Sequence, residues 1–193
     1  MNIPYPVARC LGSVAETAAA NLGVAMAIAL VDGEGSLQYF LRMEGALPAS
    51  TEIAVSKAYT AAALRMSTEE LGPLALPGGP LYGIQHTHDG KIILFGGGIP
   101  LGLQDRVLGA IGISGGTVEE DVRVAEAAVA AWKEMGEWAA CMRPLLAAKR
   151  DNSQSLTRVE AQLWETLQKD TGTLPVEFLS LLVGALILAV REL

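Results

Sequence analysis

Two stretches decide how this chain folds: "FGGGIPLG", residues 95–102, and "GISGGT", residues 112–117. Glycines at this density either cradle a phosphate or release a backbone from the steric limits of a side chain. A dinucleotide fingerprint requires G-x-G-x-x-G at a strand-to-helix turn. From Gly96 the chain reads G-G-G-I-P-L, and the third glycine is missing. No G-x-x-x-x-G-K-[ST] string occurs, and Pro100 removes one amide that a phosphate nest would use. The first cluster therefore reads as a turn between strands with close backbone packing. The second runs from a strand into a capped helix, where Ser114, Gly115, Gly116 and Thr117 could present free amides to an anion or simply turn the chain.

Outward from these glycines, apolar periodicity places the remaining elements. Val7, Leu11, Val14, Ala18 and Leu22 mark one face of a first helix over 5–21. "VAMAIALV" (24–31), the turn "DGEG" (32–35) and "SLQYFLRM" read together as a β-hairpin over 24–43. Ser50 is expected to cap a second helix whose inner face is Ile53, Ala54, Ala58, Ala61, Ala62 and Leu64. Its alanines predict close approach to a sheet. Residues 67–81 are broken by proline and glycine and read as a long connection. Two strands are predicted at 82–87 and 91–95, turned by Asp89-Gly90, and a third along "RVLGAIGISGG". Thr117 and Glu120 have capping-box spacing. Ala125, Ala128, Trp132, Met135, Ala139 and Met142 then form the stripe of a helix over 118–146.

The order α-ββ-α-β-β-β-α predicts an α+β domain over 1–146, an antiparallel sheet flanked by helices. Residues 147–193 are expected to form a helical extension, with an amphipathic helix on Leu156, Val159, Leu163 and Leu167. The uncharged run Phe178–Val190 is thirteen residues, short of the about 20 that span a bilayer. It is expected to dock on protein, with residues 155–193 as a candidate partner surface.

The chain of 193 residues carries 14 basic and 21 acidic side chains, a net charge of −7. With no basic stripe, nucleic acid is not an expected partner. Cys10 and Cys141 lack metal or redox spacing and read as buried thiols of a reducing cytoplasm. "MNIPYPVARC" lacks the charged and apolar regions of a signal peptide.

"VDGEG", "RMEGA", Ser50 with Ala54 and "KAYTA" (57–61), "FGGGIPL" and "GAIGISGGTVEED" occur in this order. Taken together they resemble the GlcG/HbpS-like family, which also supplies the C-terminal domain of PduO-type cobalamin adenosyltransferases. The resemblance covers residues 5–146. Asp105 is followed by Arg106 where the family commonly has Asp-Gly, and Glu44 stands where it commonly has aspartate. The resemblance implies a profilin-like fold, a homo-oligomer and, in some members, bound haem. Enzymatic activity is not implied.

The histidines are His86 and His88, two apart and so on one face if the segment is a strand. Neutral imidazole ligates haem iron, so either is a candidate iron ligand; the alternative is a pair of exposed polar residues beside a turn. Lys57 lies on an alanine-rich helix, where a buried cation needs a partner. It could meet a haem propionate or a small carboxylate, or reach solvent along its stem. Ser114 has no base placed for it, and Glu119, Glu120 and Asp121 are accounted for by capping and the helix dipole. The leading expectation is a cytoplasmic, oligomeric haem-binding protein, in haem handling, sensing or support of cobalamin-dependent metabolism. The alternatives are a domain or enzyme for a small organic acid, held by Lys57 and the SGGT amides, and an assembly module that uses the tail.

Overall fold

The computed structural model describes residues 2–150 apart from positions 4 and 104, with side chains through residue 136 except that of residue 6. The helices and apolar run expected after residue 150 lie outside the described residues, as does the side chain of Cys141. The chain divides into two compact units, Met1–Trp132 and Lys133–Leu193. The first contains the sheet.

Four antiparallel strands, β1 (Ala27–Asp32), β2 (Leu37–Arg42), β3 (Gly98–Leu103) and β4 (Arg106–Ser114), lie in the order β2-β1-β4-β3. The helices among the described residues are α1 (Tyr5–Leu22), α2 (Pro48–Leu64), α3 (Thr68–Leu74) and α4 (Val118–Arg150). This is the expected α+β architecture, with α1, the β1–β2 hairpin, β4 and α4 where periodicity puts them.

β1 is buried on both faces. Ala27, Ala29 and Val31 pack with Ala54, Ala58, Ala61 and Ala62 of α2 and with Ala110 of β4. α2 crosses β1, β4 and β3. The other face of β1 belongs to α1. Gly12 of α1 lies against the ring of Tyr39, which pairs with Leu30 across the hairpin. Small residues set this spacing. A β-carbon on Gly112 would collide with the Ala54 carbonyl and come within 2.5 Å of the Ala58 amide nitrogen. The glycine of β4 and the alanines of α2 thus let a helix backbone rest almost directly on a strand.

Three expectations are corrected. α2 starts earlier than Ser50. Leu47 is its N-cap and Pro48 fills the first turn, where a missing amide and fixed φ cost nothing. Ser50 is instead buried inside the helix. Within 67–81, α3 forms behind a complete capping box, Ser67 with Glu70. The strands expected at 82–87 and 91–95 are absent. Short 3-10 turns cover Ile84–His86 and His88–Gly90, and the following extended strand begins only at Gly98, inside the first glycine cluster. Gly83 and Gly90 have φ near +91° and +78°, a conformation that breaks a ladder. Pro100 is accommodated because β3 is an edge strand.

The close approach of α2 to β4 makes a specific demand. Gly112→Ala is expected to lower unfolding free energy by about 1–3 kcal/mol through overpacking. Gly102→Ala, whose β-carbon meets nothing closer than the Arg106 carbonyl at 3.5 Å, is expected to change it little. Urea denaturation of both variants checks this.

Candidate functional site

The two glycine clusters and Lys57 converge. Lys57 occupies the sheet-facing side of α2, one turn after Ala54 and one before Ala61, and is 0 % exposed. Its Nζ donates to Asp121 Oδ2 at 2.6 Å and to the Ile113 carbonyl of β4 at 2.8 Å. Asp121, 3 % exposed, accepts from the Gly116 amide at 3.1 Å through its other oxygen. The Phe95 ring lies 4.8 Å from Nζ. Burial pulls the Lys57 ammonium below its usual range, opposed by its bond to Asp121. Burial likewise pushes the Asp121 carboxyl up, opposed by Lys57 and by the Gly116 and Gly115 amides.

This pair explains the glycines. A β-carbon on Gly97 would come within 2.9 Å of Lys57 Nζ, the Asp121 side chain and the Ile113 carbonyl together, and Gly97 has φ +109°. Gly98 lies against the Lys57 carbonyl, and Gly96 against Val122 of α4. The Gly97 carbonyl in turn accepts from the Ile113 amide at 2.9 Å. The first cluster makes room for a buried ion pair.

The second cluster is brought beside Lys57, as the organic-acid expectation requires, but its amides are occupied from within. Gly116 N–H bonds Asp121, and Thr117 N–H bonds Glu120 Oε2 at 2.8 Å, completing the expected capping box. Ser114 is buried in β4 opposite Ala27. Lys57 does not reach solvent, and its carboxylate partner is intramolecular. Sequence reasoning assigned Asp121 to the helix dipole and so missed that partner. One signal was present. Asp121 extends the buried stripe Ala125, Ala128, Trp132 by one further turn, so it faces inward while Glu120 does the capping.

A second group of residues lies on the connection between α3 and β3. It is hung on two buried threonines. Thr60 Oγ1 accepts from the Ile93 amide at 3.0 Å, and Thr68 Oγ1 accepts from the Gly98 amide at 3.0 Å. Along this connection the chain exposes large apolar side chains, with Tyr82 65 % and Phe95 42 % exposed and Leu76 similar. His86 and His88 are both exposed. Because no strand forms here, the one-face argument for them fails. Each has its own setting. His86 Nε2 lies 3.4 Å from the Gln85 amide nitrogen. His88 Nδ1 lies 2.8 Å from Thr87 Oγ1, and its ring is 6.0 Å from that of Tyr59. His88 and Asp89 have φ of +54° and +55°, two consecutive left-handed residues that are not glycine. Such conformations cost about 1–3 kcal/mol each and concentrate at functional sites. Lys91 places its Nζ 5.7 Å from the Tyr59 ring centre.

Among the described residues, no three His, Cys, Asp or Glu side chains converge as a metal site, and no helix is long and apolar enough to cross a membrane. Cys10 is a buried free thiol, with its pKa raised by burial.

Comparison with known proteins adds four findings. Residues 3–130 match the family described as "Haem degrading protein HbpS-like". The chain is 38% identical over 133 residues to an uncharacterised 15.0 kDa protein of the dhaT–dhaS intergenic region of Citrobacter freundii, covering 69% of this chain and 94% of the relative. It is 40% identical over 131 residues to the corrinoid adenosyltransferase PduO of the same organism, covering 68% of this chain but only 39% of that enzyme. Among solved structures, the PduOC:heme complex superposes with a TM-score of 0.65 at 36% identity, covering 67% of this chain and 94% of that one.

Two outcomes follow from the geometry. Asp121→Ala strands a buried cation and is expected to cost about 3–5 kcal/mol in urea denaturation, with Lys57→Met/Asp121→Leu recovering most of it. Because the Lys57 pKa lies below its unfolded value, the unfolded chain holds the proton more tightly, so stability rises with pH in that window. Asp121→Ala removes the partner that holds the Lys57 pKa up, so the depression and the gain with rising pH are larger in the variant, and its deficit is expected to narrow as pH rises toward about 10. Separately, His88→Gly removes left-handed strain and is expected to stabilise the fold by up to about 1 kcal/mol, measured the same way.

Proposed function

Since the chain belongs to the HbpS-like family, we propose that it is a haem-binding protein, with His88 as the iron ligand. The reading is carried by the match over residues 3–130 together with a 36% identical relative solved as a haem complex. The residues present suit the group. An exposed imidazole can supply a nitrogen ligand to iron, and exposed Leu76, Tyr82 and Phe95 on the same connection offer apolar surface to a macrocycle. Lys91, exposed beside Tyr59, supplies a cation for a propionate, the part first expected of Lys57.

Of the two histidines, His88 is favoured. It is held in a costly backbone conformation, and its Nδ1 is fixed by a hydroxyl. His86 turns its Nε2 toward the Gln85 amide, which can only donate and so engages that nitrogen's lone pair. Bound haem would supply redox-active iron. The chain's contribution is to hold and orient the group and to shield one of its faces from water.

The proposal includes a homo-oligomer in the cytoplasm, acting in haem handling, sensing or support of cobalamin-dependent metabolism. The unpaired thiol of Cys10 is in keeping with a reducing compartment. Adenosyl transfer belongs to the longer relative, of which the chain spans 39%. The organic-acid reading is not favoured, because Lys57 and the Gly116 and Thr117 amides already hold Asp121 and Glu120. The assembly reading rests on residues 155–193, outside the described ones.

Hemin titration followed at the Soret band tests the assignment. Wild type and His86→Ala are expected to give a saturating band, and His88→Ala to lose it. No saturating band in wild type would refute haem binding, and a band unchanged in His88→Ala would refute the ligand.

A further inference from the structure

We infer that Thr87 is a positioning residue that fixes the tautomer of His88 and so readies His88 Nε2 for iron. The inference rests on the haem reading above and on His88 as ligand. Thr87 Oγ1 lies 2.6 Å from the Ile84 carbonyl and 2.8 Å from His88 Nδ1. A hydroxyl has one proton and a carbonyl can only accept, so that proton is committed to Ile84. Toward His88 the oxygen can therefore only accept, and Nδ1 must carry a hydrogen. In the neutral ring the lone pair is then on Nε2, the nitrogen remote from the backbone. Among the described residues Nε2 makes no hydrogen bond, and the ring is exposed.

The left-handed backbone at His88 completes the device. An Nδ1–H bonded to the hydroxyl of the preceding residue leaves the imidazole little rotational freedom. An iron bound at Nε2 would thus meet a ring already turned and already in the ligating tautomer. Metal-bound histidines commonly have their other nitrogen held by an acceptor, and loss of that acceptor typically costs about 10- to 100-fold in affinity. The Thr87 hydroxyl is not needed for the local fold, because the Thr87 amide also donates to the Ile84 carbonyl, at 3.0 Å. Removing the hydroxyl leaves that turn closed.

The test uses the full chain as wild type, Thr87→Val, Thr87→Ser and His88→Ala. Each is titrated with hemin, and the ferrous forms are compared by the iron–histidine stretching band in resonance Raman spectra. Thr87→Val is expected to melt with wild type, to bind hemin about 10- to 100-fold more weakly, and to show that band at lower frequency. Thr87→Ser is expected to restore both. Affinity and band unchanged in Thr87→Val, while His88→Ala loses binding, would overturn the role of Thr87 and leave His88 as ligand. Wild-type binding in His88→Ala would overturn both. If Thr87→Val does not fold, Thr87→Ala takes its place under the same criteria.

Discussion

A lysine ammonium sealed under a helix, with one carboxylate and one carbonyl to hold it, constrains much of this sheet domain. Lys57 ties α2 to the end of β4 through Ile113 and to the first turn of α4 through Asp121. Burying two charges is expensive even when they meet, so such a pair specifies geometry more than it adds stability. The surroundings bear its shape. Three successive glycines pass over it because a side chain at Gly97 would occupy the same space, and the Gly116 amide saturates the second carboxylate oxygen. Features that look like a ligand-binding loop are the lining of an internal bond.

That arrangement separates two jobs within one domain. The alanine-packed sheet and its ion pair form a rigid base. The connection from α3 to β3 is fixed to that base by Thr60 and Thr68 and by its glycines, and carries exposed rings, both histidines and a lysine. Of the residues suited to a large, flat, partly apolar ligand, Phe95 reaches the ion pair, its ring 4.8 Å from Lys57 Nζ, and so joins the two regions. The strain at His88 and Asp89 can be borne because the base beneath it is firmly packed.

Much of this was legible in the sequence, and the failures have definite causes. Helices α1 and α4 follow from periodicity, because each buries a regular face, and the β1–β2 hairpin follows from a continuous apolar run ended by turn residues. The strands expected around the histidines did not form because Gly83 and Gly90 take conformations no ladder allows, and "LYGI" (81–84) and "IILF" (92–95) bury only part of their apolar side chains. α3 was overlooked although Ser67 and Glu70 spell a capping box, since Pro73 and the glycines nearby suggested a loop. Lys57 was singled out as a cation needing a partner, but that partner is 64 residues away. Only the inward register of Asp121 with Ala125, Ala128 and Trp132 hinted at it, and one helix face cannot say what lies opposite.

The span between those two charges bears on how the domain assembles. Lys57 is placed early in the chain, and Asp121 follows β4, the strand that completes the sheet. Their contact closes a long loop, and such contacts are slow to form because the entropy of closure is met before any reward arrives. The bond can exist only once β3 and β4 have paired and α4 has begun. Its full set of partners is therefore present only on a chain in which β4 lies against α2 and α4 has begun.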